Sequence, residues 1–443
     1  MTQGKTWKIL LKFAVPMALS SAFQLLYTVA DSAVVGRLIG VSAFAATGAA
    51  WACFMLALTL TLGLTQGFGL IFSQRHGASD KAGLWSAWKS ALLLCVVLGV
   101  PFSVVGGLAA KPLLALMSTP ADIIDGSALY LRILFGGLII PIVCNTAYAM
   151  LRGLGDSKTP MASVMLSSLV NVALDILLVQ AFSMGIAGVA IATLVSQALA
   201  AAWCYYRISK RFSKEDRANK IVKGDASLLL KYGTPLAARN IIISLGGLAM
   251  QSSVNVFGTV FIAGIAAPWK LYGLLEIIGG ACTGASATFI AQNFGAKKMD
   301  RVREAIKVAG IAMLAASLGI AAISIIWGRP MLSVLVSGEQ AQAVLDIGKV
   351  QLNFMAGTLP FLYLLFLLRA ALEGTGRVTA SFLSGVAEMA ARVACSFALP
   401  PFLGEWGVYI AQVVGWPVSA LVLAVMFAIS WRKGDFKGAE NKA

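Results

Sequence analysis

The sequence predicts an all-α polytopic membrane protein with twelve transmembrane helices in two similar six-helix lobes. With 59% hydrophobic residues, 12% charged residues and a mean hydropathy of +0.84, the chain does not fit a soluble globular domain. Apolar runs that reach the roughly 20 residues needed to cross a bilayer recur twelve times in 443 residues. The order of landmarks also repeats. Lys12-Phe13-Ala14-Val15-Pro16 opens an apolar stretch that closes at Gln74-Arg75-His76-Gly77-Ala78-Ser79-Asp80, and Lys231-Tyr232-Gly233-Thr234-Pro235 opens one that closes at Gln292-Asn293-Phe294-Gly295-Ala296. Leu151-Arg152-Gly153-Leu154-Gly155 returns as Leu372-Glu373-Gly374-Thr375-Gly376. Two similar membrane lobes point to alternating access.

The first run, 9–36, is too long for a cleavable signal peptide and continues past any cleavage site, so it stays as helix 1. Helix 2 (43–73) ends at the polar loop 74–80, and helix 3 (85–108) follows it. Helix 4 (127–150) stops at the Leu-Arg-Gly-Leu-Gly landmark, helix 5 covers 160–180, and helix 6 (187–208) runs into charged sequence. The second half repeats the plan with spans at 227–256, 259–292, 303–327, 345–371, 378–401 and 405–431. Pro16 and Pro235 lie inside long spans, which predicts kinks or tilt. The lobes are therefore 1–208 and 227–443. Residues 209–226, with Lys210, Arg211, Lys214 and Arg217, form the only extended polar segment and read as a cytoplasmic tether.

Orientation follows from the 35 Lys and Arg, because positive charge stays on the cytoplasmic side. Only Arg37, Lys111, Arg132, Arg329 and Lys349 fall in odd-numbered loops, and Arg239, Lys270 and Arg392 lie within spans. The remainder sit at the termini and in even-numbered loops, which predicts that both termini are cytoplasmic. This asymmetry and the linker account for the net charge of +16 without nucleic acid; anionic lipid headgroups are the fitting partner. The six cysteines stand singly in apolar runs with no C-x-x-C spacing, giving disulfide or zinc readings little support. His76 lies in a basic loop and reads as a solvated residue, with pH sensing as the alternative. Glycine clusters such as Gly63 to Gly69 follow no strand, so close helix packing explains them better than phosphate binding.

Chemistry is sought among ionisable residues inside the spans, where they are expensive and functional by default. These are Asp31, Asp175, Arg239, Lys270, Glu276, Glu388 and Arg392. Asn171 and Asp175 are four apart and share one helix face, about 6 Å apart along the axis. Tyr27 and Asp31 have the same spacing on helix 1. If helices 1 and 5 face each other, two carboxyls with amide and hydroxyl oxygens surround a small site for a proton or a hard cation. Both carboxylates cannot stay charged in low dielectric without a counter-ion. Other readings place Asp31 near the outer end of helix 1 and make Asp175 an interhelical hydrogen-bonding group. Glu388 and Arg392, again four apart, suit a structural pair, and Arg239 and Lys270 suit snorkelling toward an interface. Glu276 has no local partner and suits either a cationic substrate or a pairing with Arg239 or Lys270.

The chain resembles the multidrug and toxic compound extrusion (MATE) transporters, within the superfamily that also holds lipid-linked oligosaccharide flippases. The resemblance covers nearly the whole chain. It rests on Pro16 with Asp31-Ser32-Ala33-Val34-Val35-Gly36-Arg37, the 74–80 loop, Leu151 to Pro160, Asn171-Val172-Ala173-Leu174-Asp175, Gly185 to Thr193, and Gln292 to Ala296. It implies two lobes related by a pseudo-twofold axis around a central cavity, and a cation-coupled antiporter, as a monomer. It further implies a cation or proton site at Asp31, Asn171, Asp175 and Thr193, with Tyr27 close by. Some members place essential acids on helices 7, 8 and 10; here helices 7 and 10 carry no interior acid, which leaves Glu276 as the only such candidate. The expected substrate is an organic, cationic or amphiphilic small molecule, with Asn145 as a polar contact and Na⁺ or H⁺ as coupling ion without other cofactors. Short loops fit a prokaryotic plasma membrane. A flippase for a lipid-linked intermediate is the rival reading. An enzyme is disfavoured by the lack of H-E-x-x-H, G-x-S-x-G or paired His, and a channel by single asymmetric acids where a pore would show rings.

Overall fold

The computed structural model describes residues 1–434 and Phe436; Asp435 and 437–443, the end of the predicted second lobe and its terminus, lie outside the described residues. All regular structure among the described residues is helical. Ten helices are long and apolar enough to cross a membrane, and a bent pair makes an eleventh span. The remaining predicted span, the seventh, is a 31-residue helix, Asp225–Asn255, which is long enough at about 1.5 Å per residue but carries Asn240, Gln251 and four serines.

The chain groups into two compact units, Val15–Ala237 and Met1–Ala14 with Ala238–Ala443. The changes from one unit to the other fall beside Pro16 and Pro235, inside two helices.

The Val15–Ala237 unit holds most of α1 (Thr6–Leu38), then α2 (Val41–Gly77), α3 (Lys81–Leu116), α4 (Ile124–Gly136), α5 (Ile139–Gly153), α6 (Lys158–Ile176), α7 (Gly185–Ser209), the short α8 (Lys214–Ala218) and the start of α9 (Asp225–Asn255). Gly40, at φ 119°, makes the turn between α1 and α2 that a side chain would oppose. Asp80 caps α3 by accepting from the Gly83 N–H at 2.8 Å, and Asp156 caps α6 by accepting from the Thr159 N–H at 2.9 Å. The predicted helix 4 is in fact α4 and α5, bent by 49°. Gly136 and Gly137 weaken the helix there, and Pro141 cannot donate to the Gly137 carbonyl. The α2 backbone lies against α9 without intervening side chains: a Cβ on Gly67 would stand 2.5 Å from the Gly233 Cα. Phe68, Phe72, Trp85 and Trp88 fill the core beside this contact.

The 209–226 segment is docked on this unit. Lys89 donates to the Arg217 and Asn219 carbonyls at 3.0 and 2.8 Å, and the Trp85 indole donates to Arg217 at 3.2 Å. Ser213 and Asp216 form a capping box on α8. Those bonds from Ser213 hold the Asp216 carboxyl below the usual carboxylate range. Arg75 at the end of α2 meets Asp225 at 2.5 Å, and Ser86 donates to the same carboxylate at 2.6 Å.

The second unit holds the rest of α9, then α10 (Thr259–Gly295), α11 (Met299–Ser333), α12 (Ala341–Gly374), α13 (Val378–Ala398), α14 (Pro400–Leu403), α15 (Glu405–Val413) and α16 (Gly415–Arg432). The predicted last span is broken at Val414, where Pro417 cannot donate to the Val413 carbonyl. Trp269, Tyr272, Trp416 and Tyr363 anchor its core.

Two sequence expectations are corrected in this unit. Helix α12 continues past residue 371 to Gly374, so it does carry an interior acid: Glu373, 0% exposed, is met by the Arg239 guanidinium at 2.5 Å. Arg239 therefore points inward rather than snorkelling, and it also donates to Ser381 at 2.5 Å. Lys270 is exposed, as snorkelling requires. Glu388 accepts from both Arg392 at 3.1 Å and Arg369 at 3.0 Å, so its pairing with Arg392 belongs to a larger buried network.

Candidate functional site

Five residues expected to form a site come together in the Val15–Ala237 unit. The C-terminal half of α1 presents Tyr27 and Asp31 on one face, four residues apart. Helix α6 presents Asn171 and Asp175 in the same way, and α7 supplies Thr193. Asn171 and Asp175 are wholly buried, Thr193 is nearly so and Asp31 is half-buried. The Asn171 amide is oriented by its neighbours: its nitrogen donates to Asp175 Oδ2 at 2.9 Å, and its oxygen accepts from the Thr193 N–H at 3.1 Å. The Tyr27 and Thr193 hydroxyls lie 3.4 Å apart.

The two carboxyl groups, Asp31 and Asp175, are within hydrogen-bonding reach of each other. One oxygen of each, Oδ1, has no hydrogen-bond partner among the described residues. Two carboxylates side by side in low dielectric repel and are poorly solvated, so a proton or a cation between them is needed to hold the pair together. The nearby atoms with lone pairs to offer a cation are all oxygens, from carboxyl, amide and hydroxyl groups, which suits a proton or a hard cation such as Na⁺ and does not suit a soft metal. Immediately after Asp175 the helix widens into a π-helical turn, Leu177–Ala181, a local departure that is frequent at functional positions.

Tyr130 on α4 is a further member that the sequence reading missed. It is 3% exposed, and Asp31, Tyr27 and Asp175 are its electrostatic neighbours. The available signal was a phenol in the otherwise apolar Leu129-Tyr130-Leu131, because a buried tyrosine hydroxyl usually finds a polar partner.

The two expected substrate contacts are not part of this cluster. Asn145 is half-buried on α5 and shares no hydrogen bond with the five among the described residues. Glu276 is half-buried on α10 in the other unit, one turn after Tyr272, with Glu388, Arg392 and Arg369 as charged neighbours.

The MatE family model matches this chain twice, at residues 16–177 and 235–397, once in each half of the internal repeat. The probable multidrug resistance protein YpnP of Bacillus subtilis is 29% identical over 376 residues, which is 85% of this chain and 84% of that protein. A solved MOP superfamily transporter from Pyrococcus furiosus aligns with a TM-score of 0.89 at 22% identity, covering 99% of this chain and 98% of that one. A solved multidrug resistance MATE transporter in the outward-facing conformation aligns with a TM-score of 0.87 at 23% identity, covering 98% of each. The twice-matched model, with a fold shared from end to end, places the chain in the MatE family, whose members are membrane transporters and not enzymes.

Proposed function

We propose that this chain is a cation-coupled antiporter that exports organic, cationic or amphiphilic compounds by alternating access. The observation that carries the reading is the Asp31–Asp175 carboxyl pair, buried among Asn171, Thr193 and Tyr27, with an oxygen on each acid left unpaired. Entry of Na⁺ or H⁺ between these acids removes their repulsion, and its exit restores it. The site therefore has two states of different charge and packing. A substrate that binds one state better than the other is coupled to the ion by the difference in affinity, and the coupling is reciprocal. Multidrug export as the biological task is supported by the naming of YpnP. Asn145 and Glu276 remain proposed contacts for substrate. We place the protein as a monomer in a prokaryotic plasma membrane with both termini cytoplasmic, consistent with its basic even-numbered loops and its bacterial relatives.

A flippase for an anionic lipid-linked cargo is supported less well. Such a cargo calls for free cationic groups, whereas Arg239, Arg369 and Arg392 are engaged by Glu373 or Glu388, which leaves exposed Lys270 as the one within-span cation of the sequence reading without a salt bridge among the described residues.

The test is efflux of a fluorescent lipophilic cation from proteoliposomes under an imposed Na⁺ gradient, an imposed pH gradient, or neither. Transport should follow one gradient and fall to the liposome background in Asp31→Asn and in Asp175→Asn, each still folded in the membrane. Full activity in either variant would sink the proposal, and movement that needs no gradient would favour the flippase.

A further inference from the structure

Arg132 has a setting that transport chemistry does not explain. The sequence reading counts its charge with the odd-numbered loops although residue 132 falls within the predicted helix 4, and it lies two turns inside α4, exposed, with no salt bridge or hydrogen bond among the described residues. The acid that feels its charge, Asp125, is already held by Lys111 at 2.6 Å. An unpaired guanidinium on a membrane helix is expensive and calls for a partner.

A groove of about 460 Å³ opens beside it, lined by Ser103, Val104, Gly107 and Leu108 of α3 and by Gly136 of α4. Its floor is made by absent side chains. A Cβ on Gly106 would collide with Phe135, so that glycine serves helix packing, whereas a Cβ on Gly107 or Gly136 would meet nothing within 4 Å. Val104 and Leu108 continue an exposed ridge with Leu93, Val97 and Val100, at helical spacing along α3, which is the face a lipid tail covers.

Depth fixes what can reach Arg132. Helix α3 has 36 residues and is about 54 Å long, against a hydrocarbon core of about 30 Å, so about 12 Å projects at each end. Arg132 lies eight residues, about 12 Å, into α4 from the same end. It therefore stands near the level where tails give way to phosphates.

We propose that this groove binds an anionic phospholipid, with the lipid phosphate on Arg132 and an acyl chain along Val104 and Leu108 over Gly107 and Gly136. A net-negative headgroup suits it better than a zwitterionic one, because Asp125, the acid that feels the arginine's charge, is already held by Lys111. The site is separate from the Asp31–Asp175 pair and does not depend on its role.

Native mass spectrometry of the delipidated full-length protein, titrated with phosphatidylglycerol or phosphatidylcholine, tests this. Wild type should keep one phosphatidylglycerol in preference to phosphatidylcholine. Arg132→Gln should weaken that binding about fivefold, the effect of one cationic side chain near a lipid surface. Gly107→Phe, which fills the groove and leaves the charge, should weaken it comparably, while Lys270→Gln should not. Thermal unfolding without lipid should match wild type in all three. Wild-type binding in either groove variant, equal affinity for phosphatidylcholine, or an equal loss in Lys270→Gln would overturn the proposal.

Discussion

Arg239 and Glu373 show how a charge survives inside an apolar unit. Glu373 is 0% and Arg239 7% exposed, and Ser381 donates to the same carboxylate at 2.6 Å. Removing one partner from a buried pair strands the other, at about 3–5 kcal/mol, whereas replacing both with apolar groups is often neutral. Arg239→Met should therefore lower thermal stability in detergent sharply, and Arg239→Met with Glu373→Leu should recover most of the loss; equal damage in both would show that Arg239 stabilises by other contacts. What could be read beforehand at this scale depended on spacing. Asn171 with Asp175, and Glu388 with Arg392, are four apart and share a helix face whatever the fold. Asp31 with Asp175, and Tyr27 with Thr193, meet across helices, a distance that no single helix encodes, so family resemblance supplied them. Glu373 escaped because Leu372-Glu373-Gly374-Thr375-Gly376 looks like a loop, while the helix runs through its first three residues.

At the scale of elements, glycine decides which helices touch backbone to backbone. A Cβ on Gly67 would stand 2.5 Å from Gly233 on α9, whereas one on Gly273 of α10 would meet nothing within 4 Å. Gly67→Val should therefore separate α2 from α9 and destabilise the unit by about 1–3 kcal/mol or more, the scale of an overpacked core. Gly273→Ala should be neutral or stabilising by up to about 1 kcal/mol, since alanine is the better helix former. Thermal unfolding of the two variants checks the contrast, and similar losses in both would mean that backbone contact is not what distinguishes them. Hydropathy shows that these helices exist, because length and apolarity are local properties. It does not show the 49° bend between α4 and α5 or the break at Val414, where glycine and proline interrupt the ladder inside runs that stay apolar throughout.

For the whole molecule the repeat was the most legible feature, since Pro16 and Pro235 occupy corresponding places and the family model matches once around each. The compact units, however, change hands inside α1 and α9 beside those prolines, which a division at the polar linker does not convey. Orientation can be tested directly. The linker is rich in Lys and Arg and should be cytoplasmic, whereas Val256, 83% exposed between α9 and α10, should face outward. Cys53, Cys95, Cys144 and Cys204 are buried, so a background with only Cys282 and Cys395 replaced should label weakly. In that background Val256→Cys should react with a membrane-impermeant maleimide on intact cells. Glu215→Cys, exposed on α8, should react only after permeabilisation. The reverse pattern would invert the topology and carry the Arg132 groove to the opposite leaflet, where its lipid would be drawn from the cytoplasmic side.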